Sequence, residues 1–394
     1  MIKTTTMKHF NYHQSTQILF GKGRIEELGE ISKKYGSKVL LVTTPAHIPA
    51  LEQQYARVKK ILETAGLEVA HYDGVISNPT IETITAGAEM AKSFGANVIV
   101  GLGGGSSMDS AKAISVEATH EGTSWDYLFY KSPQPDPKKL LPVIAVSTTS
   151  GTGSQVTQVA VITNSQVRDK SALYNNILYP QVCIVDPELM VSVPQFVTAT
   201  TGFDVLCHSF ESTINPGTGA YVDLLAWEAI SIVVEYLPQV LADLSDIEAR
   251  EKMAWADTLA GLCIANAGVT LPHGMGMAIG GMYPKVAHGE ALAIVYPAFA
   301  AFTWESAIPQ FSKLARILNP GLKTLSDTEA ASQSPAEITK FLQAIHLNKS
   351  LSEVGMPEDE ILQLATHCMV LPDYKGNPRV ATENEMIELV KSCF

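Results

Sequence analysis

Four short apolar runs rich in β-branched residues, 38–43 (KVLLVT), 97–102 (NVIVGL), 141–147 (LPVIAVS) and 182–185 (VCIV), fall in the first half of the chain, and none follows Pro194. Runs of this length and composition are typical of strands buried on both faces, which belong to parallel sheets with helical crossovers. The intervals agree, since helical patterns at 51–65 and 108–118 follow the first two runs. Residues 1–187 are therefore expected to form an α/β, Rossmann-like domain. From 188 to 394 the pattern is helical, around 203–213, 220–237, 247–266, 274–281, 335–346 and 384–393, so an all-α C-terminal domain is expected there. A chain of 394 residues, 46% of them apolar, can fill two such cores. Pro133, Pro135 and Pro137 mark one surface loop, and neither an internal repeat nor a low-complexity segment interrupts the pattern.

Charge narrows the partners. A formal net charge of −12, with no long Lys/Arg run, repels phosphate backbones and anionic lipid surfaces, so neither nucleic acid nor membrane is an expected partner. Residues 1–20 are polar and mixed, unlike the apolar core of a secretory signal, and no apolar stretch is read as reaching the roughly 18 residues of a membrane span. A cytoplasmic location is the resulting expectation. Cys183, Cys207, Cys263, Cys368 and Cys393 are odd in number and lack CxxC spacing, so they read as reduced, mostly buried thiols.

Two loops carry ligand chemistry. Residues 103–112 (GGGSSMDSAK) follow an apolar strand and open a helix, so glycine backbone can approach a diphosphate while the helix offers free N–H groups and its positive end. Taken alone, such a turn also serves as a tight connection with no ligand. Residues 148–154 (TTSGTGS) likewise follow a buried-type strand, which puts a second hydroxyl- and glycine-rich loop at the same carboxyl edge of the sheet. The pair favours a dinucleotide.

A third constellation lies in the helical half. Asp204 and His208 are four apart and share a face if residues 200–213 are helical; His273 follows Pro272 at a helix start, and His288 precedes another. One carboxylate and three imidazoles make a full protein ligand set for a divalent first-row ion, with Fe(II), Zn(II) and Ni(II) all compatible. Any one of these histidines alone also fits a hydrogen-bonded core or surface imidazole.

The runs GGGSSMDSAK (103–112), STTSGTGSQVT (147–157), DPEL (186–189), TGFDVLCH (201–208), HGMGMAIGG (273–281) and NPR (377–379) occur in order along nearly the whole chain, which thereby resembles the iron-containing alcohol dehydrogenases. The resemblance implies a dehydroquinate synthase-like architecture, with an NAD(P)-binding domain, a helical metal-binding domain and the active site between them. It implies Asp204, His208, His273 and His288 as ligands of Fe2+, with Zn2+ or another divalent ion as alternatives. It also implies Gly104, Gly105, Ser106, Asp109, Thr148, Thr149 and Thr157 on the diphosphate and ribose, with Asn78 and Lys170 as further cofactor contacts. A homodimer or larger homo-oligomer is implied as well.

Three departures from the family pattern bear on function. The Asp that commonly follows the first strand and accepts bonds from the adenosine ribose is here Thr44, so a 2′-phosphate meets no carboxylate and NADP is expected to be accepted alongside NAD. The histidine often found one turn after the third ligand is here Met277, which removes an imidazole proton relay. The interval from His273 to His288 is one residue longer than in several relatives.

The expected chemistry is hydride transfer between NAD(P) and a small primary alcohol, diol or aldehyde, with the ion as Lewis acid on the substrate oxygen. A glycerol dehydrogenase-like zinc enzyme of the same architecture, and a non-catalytic nucleotide- or metal-sensing protein, are the competing readings.

Overall fold

A computed structural model describes residues 8–394; the start of the polar N-terminal segment, residues 1–7, lies outside the described residues. The strands are β1 (Gln17–Phe20), β2 (Lys38–Val42), β3 (Glu68–Tyr72), β4 (Val98–Gly103), β5 (Val143–Ser147), β6 (Val159–Asn164), β7 (Asp169–Tyr174) and β8 (Val182–Val185). Six of them form one parallel sheet in the order β1-β8-β5-β4-β2-β3, while β6 and β7 pair as a separate antiparallel hairpin. The four runs read from sequence are the four central strands. The edges β1 and β3 and the hairpin are additions.

Helices α1 (Leu28–Ser32), α2 (Pro49–Thr64), α3 (Ile81–Phe94) and α4 (Gly105–Glu117) cover the sheet. Successive side chains of a strand point to opposite faces, so Val39 and Leu41 of β2 pack in one cluster with Leu28, Val58 and Leu62, while Leu40 and Val42 pack in another with Ile84, Ala88 and Ile114. Full burial of each such side chain contributes about 1.5–3 kcal/mol. The chain runs from β2 outward to β3 and then returns past β2 to β4, so the strand order reverses between β2 and β4. Ligands of open α/β sheets bind in the crevice at such a reversal, and Thr44 and Gly103–Gly105 sit at its two carboxyl ends.

After β8 the described chain is helical: α5 (Gln195–Ile214), α6 (Ala220–Ala242), α7 (Ile247–Ala267), α8 (Leu271–Met282), α9 (His288–Thr303), α10 (Ile308–Leu318), α11 (Asp327–Ser332), α12 (Ser334–Ala344), α13 (Ile361–His367) and α14 (Glu383–Lys391). Their core includes Phe203, Phe210, Ile230, Val233, Leu271, Tyr296, Phe299 and Phe311. One expectation is corrected here: α6 is long and apolar enough, by length and composition, to cross a membrane. It packs against α5 and α7, and its residues Ala229, Ile230, Val233 and Leu237 belong to the helical core, while Leu224 is exposed. A smaller apolar seam joins the halves, with Met108, Ala145 and Val185 from the sheet side against Ala254 and Leu262 of α7. All five cysteines are free and buried, as expected.

Candidate functional site

Asp204 and His208 share a face of α5, four residues apart, and α8 and α9 deliver the other two histidines from their first turns, His273 as the third residue and His288 as the first. Asp204 Oδ1 lies 3.5 Å from His208 Nε2 and 3.5 Å from His273 Nε2. The His208 and His273 rings stack with centroids 4.6 Å apart, and the His288 ring stands edge-on to His273 at 5.3 Å. One donor atom each from Asp204, His273 and His288 falls within 4.8 Å of the other two.

The outer ring atoms of two histidines are fixed by the fold. His208 Nδ1 is 3.1 Å from the Gly151 carbonyl, which can only accept, so the proton sits on Nδ1 and Nε2 keeps its lone pair. His273 Nδ1 donates to Glu211 Oε1 at 2.8 Å, which turns its Nε2 toward Asp204. Glu211 is itself held by the backbone N–H of Thr270 at 2.8 Å, at the entrance to α8. Asp204 Oδ1, His273 Nε2 and His288 Nδ1 are buried with no hydrogen-bond partner. Buried polar atoms are rarely orphaned, and three of them in one pocket, all of ligand type, fit a divalent ion.

Electrostatics fit the same ion. Burial works against the Asp204 charge, but the surrounding imidazoles prevail and hold its carboxyl down at about 2. Burial pushes His208 and His288 below the usual imidazole range, into the neutral form a ligand needs. Burial opposes charge on His273 too, but there the carboxylates of Glu211 and Asp204 outweigh it and raise the ring to about 10.

The two loops lie against each other. Gly104 is the N-cap of α4 and Gly105 its first residue. A Cβ on Gly105 would stand 2.7 Å from Thr152 Oγ1, closer than side chains approach, and one on Gly104 would stand 3.0 Å from Thr149 Oγ1, a tight contact that the threonine would have to yield to. Thr148 N donates to Gly103 O at 2.9 Å and ties the second loop to the end of β4. Ser106 is half-exposed on the first turn of α4.

The remaining expected cofactor residues divide. Thr44 follows β2 at the strand-order reversal, with its hydroxyl 3.0 Å from Tyr55 Oη. Lys170 donates to Asn78 Oδ1 at 2.8 Å, Asn78 donates to the Pro284 carbonyl at 3.0 Å, and burial lowers the Lys170 amine to about 8. Asp109 and Thr157, by contrast, are engaged inside the fold. Asp109 accepts from Ser154 Oγ at 2.6 Å and from Val161 N at 3.0 Å. The Thr157 carbonyl receives Lys112 Nζ at 2.9 Å, alongside the Ser154 and Val159 carbonyls, both at 2.7 Å. Lys112 is thus a buried cation held by loop oxygens, a role the motif did not announce. Glu211 was also missed, although it lies seven residues beyond Asp204 and three beyond His208 on the same helical face. Met277 lies one turn beyond His273, half-buried.

A dinucleotide-type loop edge facing a buried pocket of one carboxylate and three imidazoles defines a class of two-part, metal-dependent oxidoreductases. The chain belongs to the iron-containing alcohol dehydrogenases: residues 15–187 match the family model of that description, and residues 198–394 match the model of its C-terminal part. It is 34% identical over 378 residues to an NAD-dependent methanol dehydrogenase of Bacillus methanolicus, covering 95% of this chain and 97% of that one. It is 35% identical over 395 residues to a choline dehydrogenase of Bacillus subtilis, covering 100% and 97%. The fold superposes with a TM-score of 0.93 on the crystal structure of an archaeal halo-thermophilic alcohol dehydrogenase from a Red Sea brine pool, at 36% identity, covering 98% of this chain and 99% of that one. The protein is an alcohol oxidoreductase of this family.

Proposed function

We propose that the protein interconverts a small primary alcohol or diol and its aldehyde, with Asp204, His208, His273 and His288 holding iron and with the nicotinamide dinucleotide lying across residues 103–106 and 148–152. The observation that carries this reading is the set of three orphaned ligand atoms, Asp204 Oδ1, His273 Nε2 and His288 Nδ1, in a pocket whose remaining imidazole, His208, bonds the second loop at Gly151. When bound, the ion supplies Lewis acidity that lowers the pKa of the substrate hydroxyl.

The chain's own residues do the rest. The N–H groups at the start of α4 and the Thr148 and Thr149 hydroxyls would hold the diphosphate, and burial of Asp204, His208 and His273 keeps bulk water from three of the four ligands, His288 being half-buried. Met277 neither donates nor accepts a proton, so the imidazole relay found at this position in relatives is missing. Thr44, with its hydroxyl on Tyr55, brings no carboxylate to the adenosine side, which supports use of NADP as well as NAD. Iron over zinc follows the family, since the donor set itself suits both.

A steady-state screen of the iron-loaded protein tests this reading, with aldehydes of increasing chain length and both NADH and NADPH. Turnover with at least one aldehyde and with either nucleotide is expected. Tight NADPH binding without oxidation by any of them would instead favour the sensing role.

A further inference from the structure

The loop at 148–155 touches both halves of the site, and its grip on the helical half runs through one carboxylate outside the ligand set. Asp257, on α7, is wholly buried. Its Oδ1 accepts the backbone N–H groups of Gly151 at 2.8 Å and Gly153 at 2.9 Å, and its Oδ2 accepts from Gln155 Nε2 at 2.7 Å. Gly151 in turn gives its carbonyl to His208 Nδ1. One glycine therefore has its N–H on Asp257 and its C=O on a pocket imidazole. It has no slack, because a Cβ there would stand 2.8 Å from the Thr201 Cα of α5. On its other side the same loop closes on Gly104 and Gly105 through Thr149 and Thr152. A loop gripped in this way cannot shift under a dinucleotide without moving the acceptor that sets the His208 ring.

We propose that Asp257 is a positioning residue that couples dinucleotide binding at the 148–152 loop to ion binding through His208. This rests on the reading of that loop as a dinucleotide contact and of His208 as an ion ligand. A carboxylate with no bulk water around it is costly unless its oxygens are fully used, and here three donors from a single loop use them. Coupling between two binding sites is reciprocal, so NADH should tighten the ion by the same factor as the ion tightens NADH.

Titration of Co2+ into wild type, Asp257→Asn and Asp257→Ala, with and without saturating NADH and with the cobalt visible spectrum recorded, tests the proposal without recourse to turnover. In wild type NADH should tighten Co2+ by a factor in the usual range for coupled sites, roughly five- to 150-fold. Asp257→Asn should retain it, because Oδ1 still meets both glycine N–H groups, and a turn-over of the Gln155 side-chain amide, whose Nε2 faces Oδ2 and whose Oε1 has no partner, gives the new amide an acceptor. Asp257→Ala should bring the factor close to unity and alter the cobalt spectrum even without NADH, a change that a loss of fold stability alone does not produce.

Wild-type coupling and spectrum in Asp257→Ala, or no coupling in wild type, overturns the proposal. A His208→Ala variant that binds Co2+ as tightly as wild type would instead overturn the ligand reading beneath it, and a wild type that binds no NADH would overturn the cofactor reading. Should Asp257→Ala not fold, hydrogen exchange in wild type decides: added Co2+ should protect the Gly151 and Gly153 amides, and unchanged protection overturns the proposal.

Discussion

Glu211 Oε1 accepts a 2.8 Å hydrogen bond from His273 Nδ1, and Glu211 Oε2 accepts a second, also of 2.8 Å, from the Thr270 N–H three residues before that histidine. One buried carboxylate thus fixes both the entrance to α8 and the ring orientation of the ligand it carries. A partner of this kind orients a metal-bound imidazole and raises its basicity. Glu211→Gln is expected to weaken ion affinity by about 10–100-fold, the usual cost of losing such a partner, with the fold retained. Competition against a chelator of known affinity measures it, and an affinity equal to wild type would show that His273 needs no support.

Ion affinity should also depend on pH through the same ring. In the ion-free protein burial opposes charge on His273, but Glu211 and Asp204 outweigh it and hold the imidazole at about 10. Coordination needs the neutral ring, so a proton leaves as the ion enters. Below about 10 the protonated form dominates, and each unit fall in pH should cost tenfold in affinity, about 1.4 kcal/mol. Calorimetry in buffers of different ionisation enthalpy counts the released proton, and a count of zero would contradict the assignment.

The fit of the glycine loop against the second loop makes Gly105→Ala a sharp probe. The added Cβ would lie 2.7 Å from Thr152 Oγ1, so the loops must part. Separation displaces the N–H groups at the start of α4, and the expected result is at least a tenfold rise in KM for the nucleotide, about 1.4 kcal/mol, with ion content unchanged. Loss of ion without loss of nucleotide binding would count against the division of labour between the two halves.

Thr44→Asp tests the nucleotide preference. A carboxylate at the end of β2 would repel a 2′-phosphate and could accept bonds from a ribose hydroxyl. The ratio of kcat/KM for NADPH over NADH should fall by about tenfold or more in this variant, a change of about 1.4 kcal/mol. An unaltered ratio would place the adenosine end elsewhere.

The sheet was legible where strands are buried on both faces. β2, β4, β5 and β8 are central and read as continuous apolar runs. β3 is an edge strand whose exposed Glu68 and half-buried His71 break the run, and β1, the other edge, opens on the exposed Gln17 and has no fully buried residue. The β6–β7 hairpin, whose strands mix buried with half-buried residues and end on the exposed Tyr174, does not fit the strand–helix alternation that organises the rest. Pro297 inside α9 likewise hides a helix of 16 residues, although His288 was placed correctly at a helix start. In the site, Asp204 and His208 declare themselves by spacing, and Glu211 could have been found in the same way. Asp257 could not, because its partners include backbone N–H groups more than 100 positions away, and main-chain donors leave no mark on a sequence.

The account stands or falls on the ion's position, and a crystal structure of the Co2+- or Fe2+-loaded protein with anomalous difference density locates it directly. A single peak is expected about 2.0–2.2 Å from an Asp204 oxygen, from Nε2 of His208 and of His273, and from a ring nitrogen of His288. Full aldehyde turnover by a protein whose pocket shows no peak, or a peak bound elsewhere with these four residues uncoordinated, would contradict it.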